Sequence, residues 1–196
     1  VQAPGHPVPG GGMPRLSTTD PFRLDGRVAL VSGGATGLGY GMAEAIVQAG
    51  GKVVLLGRRE DMLRNAVERL GSSAACETFD VTKSAKVDEL VTRVIARFRK
   101  IDILINNAGV HDKREFTQTS LQDFDRVLQT HVYGSFALTR AVVPGMLERG
   151  NGHVLFIASM SAFIGMPKIV AYSAAKSAFL GMVRALAAEL DRKSVV

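Results

Sequence analysis

The chain has one cysteine, Cys76, and no tryptophan. A single thiol excludes an intrachain disulfide and suits a reducing compartment, so a cytoplasmic protein is expected. No apolar run nears the roughly 20 residues that a membrane span needs. The four histidines, His6, His111, His131 and His153, share no ligand spacing, so no metal centre is expected. The formal net charge is +6, yet the Lys and Arg residues are spread over several predicted helices, without a basic block or interleaved aromatics. That spread speaks against nucleic acid and for a solvated surface with an anionic small-molecule site. Residues 1–19 carry Pro4, Pro7, Pro9, Pro14 and the run Gly10-Gly11-Gly12, with little to bury, and read as a mobile tail. Residues 20–196 are left for one domain.

What is present is organised around residues 27–50. Val28, Ala29, Leu30 and Val31 form a short apolar run that stops at Ser32 and a cluster of glycines. A helix-period segment follows, with Leu38, Met42, Ala45, Ile46 and Ala49 on one predicted face. Strand, tight turn and helix in this order leave backbone N–H groups at the helix start aimed at one spot, which suits a phosphate. The spacing Ser32-Gly33-x-x-x-Gly37-x-Gly39 differs from the commonest glycine fingerprint of dinucleotide sites.

The same alternation continues. Strands are predicted at 52–56, 75–79, 101–105 and 154–157, and helices at 60–70, 87–98, 121–147, with a kink or end near Pro144, and 173–190. Near-continuous apolar strands alternating with amphipathic helices mean a doubly wound α/β domain, a parallel sheet covered on both faces. Its ligand belongs at the carboxyl ends of the strands. Ser32 to Gly39, Arg58, Asp80, Asn106 to Gly109 and Ser159 all follow such ends.

Tyr172 and Lys176 are four apart at the start of the last helix and share a face. A nearby ammonium favours the phenolate and draws a tyrosine toward acid–base work. The same pair also fits a surface tyrosine packed on a lysine stem. Ser159, thirteen residues earlier, adds a hydroxyl able to hold a substrate oxygen.

These motifs together resemble those of the short-chain dehydrogenase/reductase family. They are Ser32-Gly33-Gly34-Ala35-Thr36-Gly37-Leu38-Gly39, Asp80-Val81, Asn106-Asn107-Ala108-Gly109, Ser159 and Tyr172-Ser173-Ala174-Ala175-Lys176. The resemblance implies a Rossmann-like sheet of order 3-2-1-4-5 and hydride transfer between a nicotinamide and a carbonyl or secondary alcohol, of sugar-acid or 3-oxoacyl type. It implies that Tyr172 is the general acid/base, that Lys176 lowers its pKa and holds the nicotinamide ribose, and that Ser159 positions the substrate oxygen. Gly33, Ala35, Thr36, Gly37, Leu38 and Gly39 would cradle the pyrophosphate and ribose. Asp80 and Val81 would meet the adenine, and Asn107, Ala108 and Gly109 would line the cofactor floor. The helices at 121–147 and 173–190 would join copies into a homodimer or homotetramer.

Two departures from the family pattern bear on activity. His131 stands where asparagine is usual, and it either passes a proton in its place or only packs. The sheet of the family continues beyond the last helix, so the chain reads as a fragment or truncated product, with a cofactor-binding or dimerising protein without catalysis as the alternative function. The cofactor follows from Gly57-Arg58-Arg59 after the second strand: an acid there would accept from the ribose 2′-hydroxyl of NAD, whereas Arg58 pairs with a 2′-phosphate. NADP(H) is favoured, with NAD(H) as the alternative and a solvated surface charge as the other reading of Arg58.

Overall fold

A computed structural model describes residues 21–190. The tail expected at 1–19 and the chain end at 191–196 lie outside the described residues. The strands are β1 (Val28–Ser32), β2 (Lys52–Gly57), β3 (Ala74–Thr78), β4 (Ile103–Asn106) and β5 (His153–Phe156). The helices are α1 (Gly37–Gln48), α2 (Glu60–Leu70), α3 (Val87–Phe98), α4 (Leu121–Leu128), α5 (Gly134–Arg149) and α6 (Val170–Leu190). All strand pairs are parallel and the order is β3-β2-β1-β4-β5, as the resemblance implies.

Alternation along the central strands sorts their side chains into two cores. Ala29, Val31, Val53, Leu55, Ile103 and Ile105 face α1 and α2, meeting Ala43, Ile46, Leu63 and Ala66. Leu30, Val54, Leu56 and Leu104 face the other way, onto Leu90, Val94, Leu138 and Met146 of α3 and α5. Both faces being covered explains why β1 is buried at every position. At β5 the α1 layer runs out, and Leu155 is 42% exposed.

The buried carboxylate of Asp102 joins the amino ends of the central strands. Its Oδ2 accepts from Val28 N at 2.9 Å and meets Lys100 Nζ at 3.1 Å, and its backbone N–H bonds Val28 O while its carbonyl accepts from His153 N. One residue thus ties β1, β4 and β5 into register.

Three expectations need correction. The buried face of α1 is Gly39, Ala43 and Ile46; Leu38 is 73% exposed, because the turn packs where a side chain is missing rather than where an apolar one is present. The helix expected over 121–147 does not end near Pro144. It divides at a π turn, Gln129–Tyr133, and α5 runs through Pro144 to Arg149, where Gly150 at φ 62° stops it. Wide turns of this kind break the regular ladder without a proline. The last helix begins at Val170 rather than 173, which places Tyr172 within its first turn.

Replacing Asp102 with alanine strands the Val28 N–H and two cations. Urea unfolding of Asp102→Ala should show a loss of about 2–3 kcal/mol, whereas Asp102→Asn, which keeps an acceptor, should lose less than half as much.

Candidate active site

The carboxyl ends of β1 and β4 part at the point where chain order reverses, and the turns there are laced together. Ser32 Oγ donates to Ile105 O (3.2 Å) and accepts from the backbone N–H groups of Asn107 and Ala108 (3.0 Å each). Asn107 Nδ2 returns two bonds, to Ser32 O and Gly33 O at 3.1 Å. The glycines fit this lacing. Gly33 has φ +65°, and a Cβ there would stand 3.0 Å from Asn107 Nδ2; one on Gly39 would collide with the Gly33 carbonyl.

Above the laced turns lies a cavity of about 480 Å³, lined by Gly33, Ala35, Thr36, Arg58, Asp80, Val81 and residues of the loop after β4, Asn107, Ala108 and Gly109 among them. Most of the residues read from the sequence as a cofactor cradle therefore share one wall. Arg59 and Thr130 line it too, and the sequence reading assigned neither. Thr36 is the N-cap of α1, but its side chain makes no capping bond and the first turn carries no acid, which leaves the positive helix end to an anion. Gly37 has φ +55° with open space where a Cβ would be. Asp80 Oδ1 accepts from Thr82 N (3.0 Å) and Thr82 Oγ1 (2.9 Å), and Oδ2 has no partner among the described residues. Arg58 and Arg59 are exposed and make no ion pair among the described residues.

The second group of predicted residues sits beside this cavity, between β5 and α6. Lys176 is 3% exposed, and its Nζ donates to the Ile157 carbonyl at 2.6 Å. Burial pulls its pKa down to about 8. The ammonium stands 5.5 Å from the Tyr172 ring centroid and 4.7 Å from that of Phe179. Ser159 Oγ accepts from Ser161 N (3.2 Å) and from Ser161 Oγ (3.0 Å). The structure thus gathers Ser159, Tyr172 and Lys176 around one strand end, with no direct hydrogen bond among them. Ser161 engages the serine hydroxyl, a partner the sequence reading missed although an i+2 serine is a common local one.

His131 closes the far side. It is 1% exposed, and its ring meets Tyr172 edge-on at 5.5 Å. Burial is the main reason its pKa is lowered to about 4, so the ring is neutral near pH 7. The loop after β4 is pinned by Asp112, which is 8% exposed and paired with Arg114 (2.9 Å) and Arg126 (3.7 Å). Arg114 N bonds Lys168 O at 2.9 Å, joining this loop to the one before α6.

Sequence comparison accounts for this arrangement. The sequence model of short chain dehydrogenase matches residues 27–196. The chain belongs to the short-chain dehydrogenase family. The chain is 33% identical over 180 residues to the dehydrogenase/reductase SDR family protein 7-like of Drosophila melanogaster, covering 88% of this chain and 55% of that one. It is 35% identical over 183 residues to the D-threitol dehydrogenase of Mycolicibacterium smegmatis, covering 92% and 70%. Among solved structures, the 3-ketoacyl-(acyl-carrier-protein) reductase of Brucella melitensis, complexed with NADH, superposes with a TM-score of 0.84 at 32% identity, over 87% of this chain and 72% of that one. The chain thus spans about half the length of the fly relative and under three quarters of the two bacterial ones.

His131 generates an acid-side prediction. In the unfolded chain its imidazole protonates near pH 6.5, whereas the folded ring resists to about 4. The unfolded state binds the extra proton in that window, so stability falls as pH drops through it. Urea unfolding at about pH 7 and about pH 5 should show wild type losing on the order of 1–2 kcal/mol more than His131→Gln.

Proposed function

We propose that this short-chain dehydrogenase is an NADP(H)-preferring oxidoreductase that interconverts a carbonyl and a secondary alcohol on a small molecule, with Tyr172 exchanging the proton on the substrate oxygen. The observation that carries the reading is the buried Lys176 ammonium, one helical turn from Tyr172, at the strand end beside the cavity. A cation kept out of water costs several kcal/mol, and a surface tyrosine resting on a lysine stem would not require it.

The residues present fit a nicotinamide dinucleotide. The glycine turn would receive the pyrophosphate, Asp80 Oδ2 an adenine amino group, and the Asn107-Ala108-Gly109 stretch the nicotinamide half. When bound, the nicotinamide supplies or accepts the hydride that changes the oxidation state of the substrate carbon. The protein's own part is proton management and placement. Tyr172 gives its phenolic proton to the substrate oxygen in reduction and takes it back in oxidation. Lys176 is charged below about pH 8, and its field favours the phenolate that this exchange leaves. Ser159 holds the substrate oxygen with its own O–H, which the bonds it accepts from Ser161 leave free to donate.

Arg58 and Arg59 support the cofactor preference, since exposed guanidinium groups on the cavity rim, without an ion pair among the described residues, suit a 2′-phosphate. The named relatives support a substrate of sugar-derived or 3-oxoacyl type. Tyr133 and Phe136, both more than half exposed at the α4–α5 junction, support pairing of copies into a dimer or tetramer. Among the described residues no helix is long and apolar enough to cross a membrane, and the free thiol of Cys76 suits the reducing cytoplasm. A second reading, cofactor binding without turnover, draws on the Ser159 hydroxyl being held by Ser161 instead of Tyr172.

Tyr172→Phe should lower turnover on a panel of sugar-acid and oxoacyl carbonyls by about a hundredfold or more, with NADPH binding unchanged. Undiminished turnover would remove the tyrosine from the mechanism, and a wild-type chain that binds NADPH yet turns over nothing would favour the second reading. In a titration followed by nicotinamide fluorescence, Arg58→Ala should weaken NADPH about tenfold and leave NADH within about twofold; equal losses for both would dispose of the 2′-phosphate contact.

A further inference from the structure

His131 lies in the wide turn between α4 and α5, and its imidazole lies against the cavity floor, where a Cβ on Gly109 would fall on the ring. Its Nε2 is 2.9 Å from the Val110 carbonyl oxygen and 3.1 Å from the Val110 amide nitrogen. Both contacts end on one nitrogen. The neutral ring donates its N–H to the carbonyl or accepts the amide N–H, and in either form it is fastened to the Val110 backbone. Nδ1 is buried and has no hydrogen-bond partner among the described residues. A ring that relays a proton takes it at one nitrogen and releases it at the other, and here only one nitrogen has a partner.

The fastening reaches Tyr172. His111 follows Val110, and the rings of His111 and His131 both meet the Tyr172 ring edge-on, at 5.0 and 5.5 Å with interplanar angles of 88° and 86°. Edge-to-face contacts at these separations are favourable and directional, so two imidazoles define where the phenol ring stands. One of them is set directly by α4–α5, the other through the backbone that His131 holds.

We propose that His131 is a positioning residue: a neutral bracket on the Val110 backbone that fixes the cavity floor and, together with His111, the Tyr172 ring, without passing a proton toward Lys176. This rests on Tyr172 exchanging the substrate proton. The ionisable groups facing the ring are Lys176 and Tyr172 of α6 and His111 of the loop. Burial, and after it the charges of Lys176 and His111, disfavour an imidazolium, against the Val110 bond that favours one.

The test begins with the full wild-type chain, ¹⁵N-labelled at histidine and followed by NMR. The His131 ring should stay neutral from about pH 5.5 to about pH 9; a titration midpoint between about pH 6 and about pH 8 would overturn the bracket, whether or not the chain turns over. Two variants then separate the roles. Glutamine reaches toward Val110 with an amide that both donates and accepts but does not titrate, and leucine fills space with no polar atom. His131→Gln should keep kcat within about threefold of wild type, and His131→Leu should lose about tenfold or more, in kcat rather than in KM. Equal large losses in both variants would restore the relay, and a fully active leucine variant would reduce the residue to packing; either result overturns the proposal. Turnover that survives Tyr172→Phe would instead sink the assignment of Tyr172, leaving the NMR result on the bracket standing by itself.

Discussion

The Ser32 hydroxyl carries more of this structure than its size suggests. It donates once and accepts twice, and all three bonds join the end of β1 to the end of β4. Two parallel strands that diverge at a switch point leave their last amide groups without ladder partners. In the interior those groups must be satisfied, and the hydroxyl of a 1% exposed serine does it for Asn107 and Ala108. The Asn107 amide completes the circuit by donating to Ser32 O and Gly33 O. The glycine turn before α1 and the loop after β4 are consequently one rigid unit, although 75 residues separate them.

The two cores behind the sheet explain how that unit is held in place. Side chains of β1, β2 and β4 alternate between α1–α2 and α3–α5, so no single strand can slide without exposing apolar side chains on both faces. Asp102 anchors the opposite ends of the same strands. The half that carries Ser159 and Tyr172 is held differently. The α4–α6 contact is a small cluster of Val127, Ala171 and Ala175, and the loop before α6 depends on the Arg114–Lys168 backbone bond. The rigid wall of the cavity therefore faces a more lightly fastened one that carries Tyr172 and Ser159, and α5 exposes Phe136.

The parts legible in the sequence are those governed by period. The bounds of α2 and α3 follow from apolar residues such as Leu63 and Ala66 or Val87, Leu90, Val91 and Val94, spaced three and four apart. The central strands β1, β2 and β4 read as apolar runs because they are covered on both sides. What periodicity cannot express was misread or missed. Leu38 looks like the inward residue of α1, but the inward position is Gly39, selected for having no side chain. The π turn at Gln129–Tyr133 has no residue signature, while Pro144 advertises a break that α5 absorbs. Partners distant in sequence, such as Ser32 with Asn107 or His131 with Val110, leave no local trace at all. Ser161 is the exception, a near neighbour whose hold on Ser159 the turn chemistry of serine makes legible.

Lys176 shows how the site is tuned by omission. Among the described residues no carboxylate pairs with it, and the charge is met only by the Ile157 carbonyl and by the faces of Tyr172 and Phe179. A buried lysine with an acid beside it would be more comfortable, and its pKa would stay high. Its field at the phenol would also be cancelled by the acid's own charge. Meeting the cation with a dipole and two aromatic faces leaves its field uncompensated where Tyr172 stands. The cost appears in the lysine itself, drawn down to about 8, which is the expected sign for a charge kept out of water without an opposite charge. Burial is the main cause of the neutrality of His131 across the ring, and the Lys176 charge adds to it in the same direction. The histidine is left to act through shape and one hydrogen bond.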